Sequence, residues 1–178
     1  MIFAHDTVLS LQAAVALVNS ASAPETLTTV AELDAFFDRF GYTGRHDRTS
    51  TELAEVRALR PVLRDLMTSD RDTAAELVNA VLAKAQAVPR LVRHAAYDWH
   101  VHAVGPDEPL ATRIAVETAM AMIDVVREDE MSRLGLCADD ECDGVVLDLS
   151  RNRSKRYCST ACTNRNAVAA YRARQSQA

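Results

Sequence analysis

Apolar residues recur along most of the chain at the 3.6-residue spacing of helices that bury one face. Val8, Leu11, Val15 and Val18 mark the first such face, with Asp6 or Thr7 placed to cap it. Residues 20–28 form a loop around Pro24. Thr29 and Glu32 then stand at capping-box spacing ahead of Leu33, Phe36, Phe37 and Phe40, and Gly41 is placed to end that helix. Residues 41–49 are polar and read as a loop. Leu53, Val56, Leu59, Leu63 and Leu66 give 51–67 a helical stripe, but Pro61 lies inside it, which predicts a kinked or divided helix. Asp72 is placed to cap a helix over 73–87 whose stripe is Leu77, Val78, Val81 and Leu82.

After Pro89 the period shifts towards two across 90–104, as in LVRH and YDWHVHAV, and predicts a β-hairpin. Ile114, Ala115, Thr118, Met122, Val125 and Val126 then predict a long helix over 110–131. Near the C-terminus, 144–149 alternates weakly as a strand, 150–154 supplies turn residues and 155–158 is expected to return as a second strand. The run STACTNRNAVAAYRARQ has no breaker and predicts a final helix. The expected fold is mainly α. A helical N-terminal domain with a short β-hairpin, residues 1–134, precedes a small treble-clef-like module of hairpin and helix, residues 135–178.

Composition agrees with helices over a β-sandwich, because the 48% hydrophobic content comes largely from alanine, valine and leucine while aromatics are only 5%. There is no run of 18 uncharged apolar residues, and the N-terminus has no basic stretch ahead of its apolar one, which points to a cytoplasmic protein with no membrane partner. The net charge of −5 conceals a segregation. Residues 1–136 hold 13 basic and 20 acidic side chains, whereas 149–178 hold seven basic ones and no acid. Such a block on an acidic protein suits a phosphate-bearing partner.

All four cysteines fall near that block, at Cys137, Cys142, Cys158 and Cys162. Two close pairs joined by a loop match tetrahedral zinc, each pair gripping the ion from one short piece of backbone. Two disulfides are the competing reading, disfavoured in a reducing cytosol. Four thiolates leave no open coordination position, so one Zn2+ per chain would serve folding, not hydrolysis. The chemistry then lies in its neighbours: Arg151, Arg153, Lys155 and Arg156 at the expected hairpin tip, and Asn164, Arg165 and Arg172 on the helix, with guanidinium forks suited to phosphates and guanine edges. Asn166 offers a further amide. Val168 and Tyr171 read as core of the module. Asp148, Ser150 and Asn152 are expected to fix the basic tip, Asp148 by accepting from Arg151 or Arg156.

The C-terminal letters CADDEC, VVLDLSRNRSKRYC and STACTNRNAVAAYRAR resemble the CGNR zinc-finger family, with Thr163 in place of the glycine and Asn164 and Arg165 keeping the rest of the motif. LSLQAAVALVNS and the helical region running to RLGLC resemble the domain called ABATE, a family described in terms of stress-induced transcription regulation. The resemblance implies a bacterial regulator that binds DNA through the zinc module, with an N-terminal domain that senses a small-molecule effector or forms a homodimer. An alternative is a module docking on a protein partner or on RNA. His100 and His102 share one strand face and could ligate a metal or line a pocket, and Tyr97 and Trp99 are candidates to hold a ligand. His5 and His94 are unassigned. No catalytic constellation is legible, so an enzyme is not expected.

Overall fold

A computed structural model describes residues 3–94 and 97–175. Over these the protein is mainly helical, with two small antiparallel hairpins. Helix α1 (His5–Asn19) lies against α6 (Leu110–Arg127). Helices α4 (Arg60–Thr68) and α5 (Arg71–Lys84) close over that pair, α3 (Ser50–Ala58) packs on α6, and α2 (Val30–Arg39) packs on α3. Leu11, Leu17, Leu63, Leu66, Ile114 and Met122 are fully buried where these faces meet. Each such side chain contributes about 1.5–3 kcal/mol by leaving water. Among the described residues no helix is long and apolar enough to cross a membrane.

The helix ends follow some of the local signals and depart from others. Thr29 and Glu32 form the expected reciprocal capping box, and Gly41, at φ +65°, ends α2 with the N–H groups of Gly41 and Tyr42 turned back to Asp38 and Phe37. Pro61 divides the third stripe at Leu59 because it sits in the first turn of α4, where its missing N–H needs no acceptor. Two caps differ. Helix α1 begins at His5 without a side-chain cap, since the Thr7 hydroxyl donates instead to Asp124 Oδ2 on α6 at 2.6 Å. Helix α5 is capped by Asp70, not Asp72, because the chain is still extended at Asp70 and its carboxylate can reach the N–H groups of Asp72 and Thr73. Helix α6 stops at Arg127, short of 131, as Asp129 turns to φ +56° and the N–H of Glu130 closes on Val125 O.

Strands β1 (Arg90–His94) and β2 (Tyr97–His102) form the expected hairpin, with Leu91 opposite Val101. The second hairpin differs from expectation. Strand β4 (Val145–Leu147) pairs with β3 (Leu134–Leu136), upstream of the first cysteine, and 155–158 is not a strand. Burial explains the choice: Leu134, Val145 and Leu147 enter the helical core, whereas 155–158 brings Lys155 and Arg156, both exposed, and turns Tyr157 and Cys158 to the small cluster around the cysteines instead. Asn19, the last residue of α1, seals the joint, donating from Nδ2 to Val145 O at 2.8 Å and accepting from Val145 N at 2.7 Å. Asn19→Ala should therefore lower stability by about 1–3 kcal/mol, because it orphans two main-chain groups at once. Thermal unfolding, together with faster amide exchange at Val145, would show it.

Candidate functional site

Hairpin β3–β4 carries the cysteines' first pair in its connection. The N–H of Cys137 donates to Gly144 O at 2.8 Å, continuing the strand ladder, and that of Cys142 donates to Asp139 O at 2.9 Å, folding the knuckle. The second pair arrives through the segment after β4, whose Arg156 O accepts from Ala138 N at 2.9 Å, and through α7 (Thr160–Gln175). Ser159 begins that helix by accepting from the N–H of Cys162.

The four Sγ atoms lie within 4.8 Å of one another, with Cys142–Cys158 at 3.5 Å and Cys158–Cys162 at 3.8 Å. Zinc–thiolate bonds of about 2.3 Å in a tetrahedron require sulfur separations of about 3.8 Å. The arrangement fits one structural zinc ion. Main-chain N–H groups of Cys158 and Gly144 point at the sulfurs of Cys137 and Cys142, 3.3 and 3.4 Å away, as suits sulfur carrying negative charge. Burial works against the Cys137 thiolate, but N–H donors from Cys158 and Asp139 outweigh it and hold this thiol below its ordinary value. Gly144 is obligatory for the approach, since a Cβ there would meet Cys158 Sγ at 2.8 Å and Cys142 Sγ at 3.3 Å. Among the described residues this is the one group of three or more potential ligands close enough to share an ion. His100 and His102 do not extend into a second.

The basic residues divide into two sets. Arg153 donates to Ser132 Oγ at 2.8 Å and pairs with Glu130, Lys155 Nζ donates to Leu147 O at 3.1 Å, and Arg165 pairs with Asp139 at 3.3 Å and Glu141 at 3.2 Å. These three brace the module, Arg153 against residues just before it and Lys155 and Arg165 against its own carbonyls and acids. Arg151, Arg156, Arg172 and Arg174 are exposed and form no ion pair among the described residues, and Asn164 is exposed as well. Asn166 donates back to Cys162 O. A shallow hollow beside the start of α7 gathers Lys155 and Arg156 with Ser159, Thr160 and Thr163.

Asp148 is buried and fixes the turn, although through N–H groups instead of the expected Arg151 or Arg156: its carboxylate accepts from Ser150 N at 2.8 Å and Lys155 N at 2.7 Å. Burial opposes its charge, and the Ser150 hydroxyl, the N–H groups of Lys155 and Ser150 and nearby Arg133 more than offset that and keep its pKa below the ordinary carboxylate value. Arg133, missed in the sequence, is buried and donates to Asp148 O and Ser150 O, both at 3.0 Å. Val168 and Tyr171, expected in the core, are 48% and 55% exposed. The module's apolar cluster is only Cys137, Val146 and Cys162 with Tyr157 and the other cysteines alongside, so α7 leaves it after one turn.

Trp99, the one tryptophan, is 62% exposed at the edge of a cleft between α1, α6 and β2. The side chains of Tyr97 and His94 lie outside the described residues. With this geometry in place, two family models match the chain. One, described as CGNR zinc finger, covers residues 133–175. The other, ABATE, described as "Putative stress-induced transcription regulator", covers residues 11–129, more than half of the chain. No curated protein matches.

Proposed function

Because the chain belongs to the ABATE family and ends in a CGNR zinc finger, we propose that it is a cytoplasmic bacterial transcription regulator that grips DNA through α7 and the zinc-braced turn before it. One observation carries this reading. Residues 149–178 contain no acid, and the arginines that form no ion pair among the described residues flank the zinc cluster, Arg151 and Arg156 on the turn and segment before α7 and Arg172 on α7, a helix that buries only Cys162. Arginines free of internal acids and fixed on a rigid frame can each displace counterions from a phosphate backbone. The hollow at the start of α7 adds hydroxyls and a helix N-terminus to the same side, both suited to a phosphate. Arg153, Lys155 and Arg165 support the frame, and Asn164 is the exposed amide for a base edge.

In this reading residues 1–134 are the regulatory unit and 135–178 the DNA-binding one. A single small module buries little surface on DNA, so two copies paired through the helical unit would read two half-sites. The helical unit would also take the effector that sets the response.

Replacing Arg151, Arg156 and Arg172 together by alanine tests the proposal without disturbing the frame. DNA affinity should fall at least tenfold, and the slope of log K against log salt should flatten by roughly 2–3, about 0.9 per lost phosphate contact. Arg153→Ala, whose guanidinium is already committed to Glu130, should move the slope little. Unchanged binding in the triple variant would sink the reading. Stoichiometric capture of a protein or RNA in the absence of DNA would favour the interaction module instead.

A further inference from the structure

The cleft at Trp99 has a volume of about 720 Å³ and is walled by the N-terminal half of α1, the C-terminal half of α6, strand β2 and the turn that follows α2. That size suits a small molecule. Leu9, Ala13, Met120 and Ala121 give it an apolar side. Phe40, Tyr42 and Trp99 bring aromatic rings. Its polar groups are unbalanced. Asp6, Glu117 and Asp124 bring three carboxylates, and Arg127 is the one lysine or arginine on the lining.

Asp124 already accepts from the Thr7 hydroxyl. Among the described residues Glu117 has no such partner at hydrogen-bond distance, and the basic group that comes within 4 Å of it is His102 Nδ1, at 3.9 Å. Arg113 lies close enough to act on Glu117 electrostatically, but its guanidinium is spent on the carbonyls of Thr43, Arg45 and Glu108. His100 and His102 face each other through Nε2 at 3.0 Å, and His5 completes the titratable set on the lining. Tyr42 is the second sign of a ligand. Only 8% of it is exposed, it lines the cleft, and among the described residues its hydroxyl has no hydrogen-bond partner. A buried hydroxyl left unpaired is costly, and a ligand donor or acceptor in the cleft removes that cost.

We propose that this cleft binds a small organic cation, an amine carried on an apolar or aromatic body, with the Glu117 carboxylate as its ion-pair partner and the Tyr42 hydroxyl as a second polar contact. The amine supplies the charge that the three carboxylates lack, and its body lies along Met120 and Ala121, with Trp99 at the mouth, where its ring already carries the Arg93 guanidinium 5.3 Å from the centroid. The proposal goes beyond the DNA-binding reading and does not depend on it, since the binding is measured without DNA. Burial, only partly offset by Arg113 and reinforced by the charge of Asp6, raises Glu117 to about 7. An incoming cation must therefore find this carboxyl ionised, so binding releases a proton and strengthens as pH rises through 7.

Trp99 makes the test direct, because its fluorescence reports the cleft alone. Zinc-loaded full-length protein is titrated with phenethylamine and hexylamine, and in parallel with 2-phenylethanol and phenylacetate as neutral and anionic counterparts. Saturable changes with the amines only are expected, tighter at pH 8 than at pH 6. Glu117→Gln should weaken the amines about tenfold or more and flatten the pH dependence, leaving what the lining histidines contribute. Tyr42→Phe, which removes only a hydroxyl, should weaken them severalfold while keeping the pH dependence, and it carries the test if Glu117→Gln folds poorly. The proposal is overturned if neither amine saturates at millimolar concentration, if the alcohol or phenylacetate binds as well, or if the variants bind as the parent does.

Discussion

Metal analysis of reduced, chelator-free protein should return one zinc per chain, and Cys158→Ser should return none. The loss should be large because little besides the ion holds Cys158 and α7 against the β3–β4 hairpin. The module's apolar cluster rests on Cys137, Val146 and Cys162, two of which are ligands, and α7 leaves it after one turn. Structural zinc supplies about 10–16 kcal/mol of apparent folding free energy in small modules of this kind. Without it α7 should melt, and circular dichroism should lose helix equivalent to its 16 residues. The helical core should stay folded, because Leu134, Val145 and Leu147 are buried there without help from the metal. A variant that kept α7 helical, or a zinc-free parent protein, would refute the clamp.

The second large effect is expected far from the zinc. Glu52 is 3% exposed and accepts from the N–H of Asp47 at Oε1, 3.0 Å, and from that of Arg48 at Oε2, 2.9 Å, with His46 Nδ1 2.8 Å from the same Oε2. Glu52→Ala would leave these groups without an acceptor and release the polar stretch between α2 and α3, at a cost of about 3 kcal/mol. The midpoint of thermal unfolding should drop by roughly 6–12 °C. A change below about 1 °C would mean that water replaces the carboxylate at no cost.

That stretch also shows where the sequence could be read and where it could not. Helices, the first hairpin and the zinc ligands are legible because each rests on spacing: apolar residues every three or four positions, alternation in LVRH, and cysteines in two close pairs. Glu52 and Arg113 were invisible because nothing local marks a charged residue for burial. Arg113 reaches main-chain carbonyls of Thr43 and Arg45, nearly seventy positions earlier in the chain. The same limit explains the mispaired hairpin. Short apolar segments at 134–136 and 145–147 gain their strand character from the helical core they face, which spacing within the segment does not reveal. It also explains the division among the arginines. Arg153 and Arg165 look like Arg151 and Arg172 in sequence and differ only in having Glu130 or Asp139 within reach.

The position of the first two cysteines sets an order of assembly. Cys137 and Cys142 lie in the loop that closes β3 on β4, and both strands belong to the helical core. Folding of that core therefore delivers them as a ready-made bidentate chelate before any metal arrives. Cys158 and Cys162 come later, on a segment that gains little by docking until an ion is there to receive it. Capture proceeds from the hairpin side, and departure begins from the α7 side. The lifetime of bound zinc is then governed by the opening of one exposed helix, and a chelator that meets the native protein strips the metal without unfolding the domain that first positioned it.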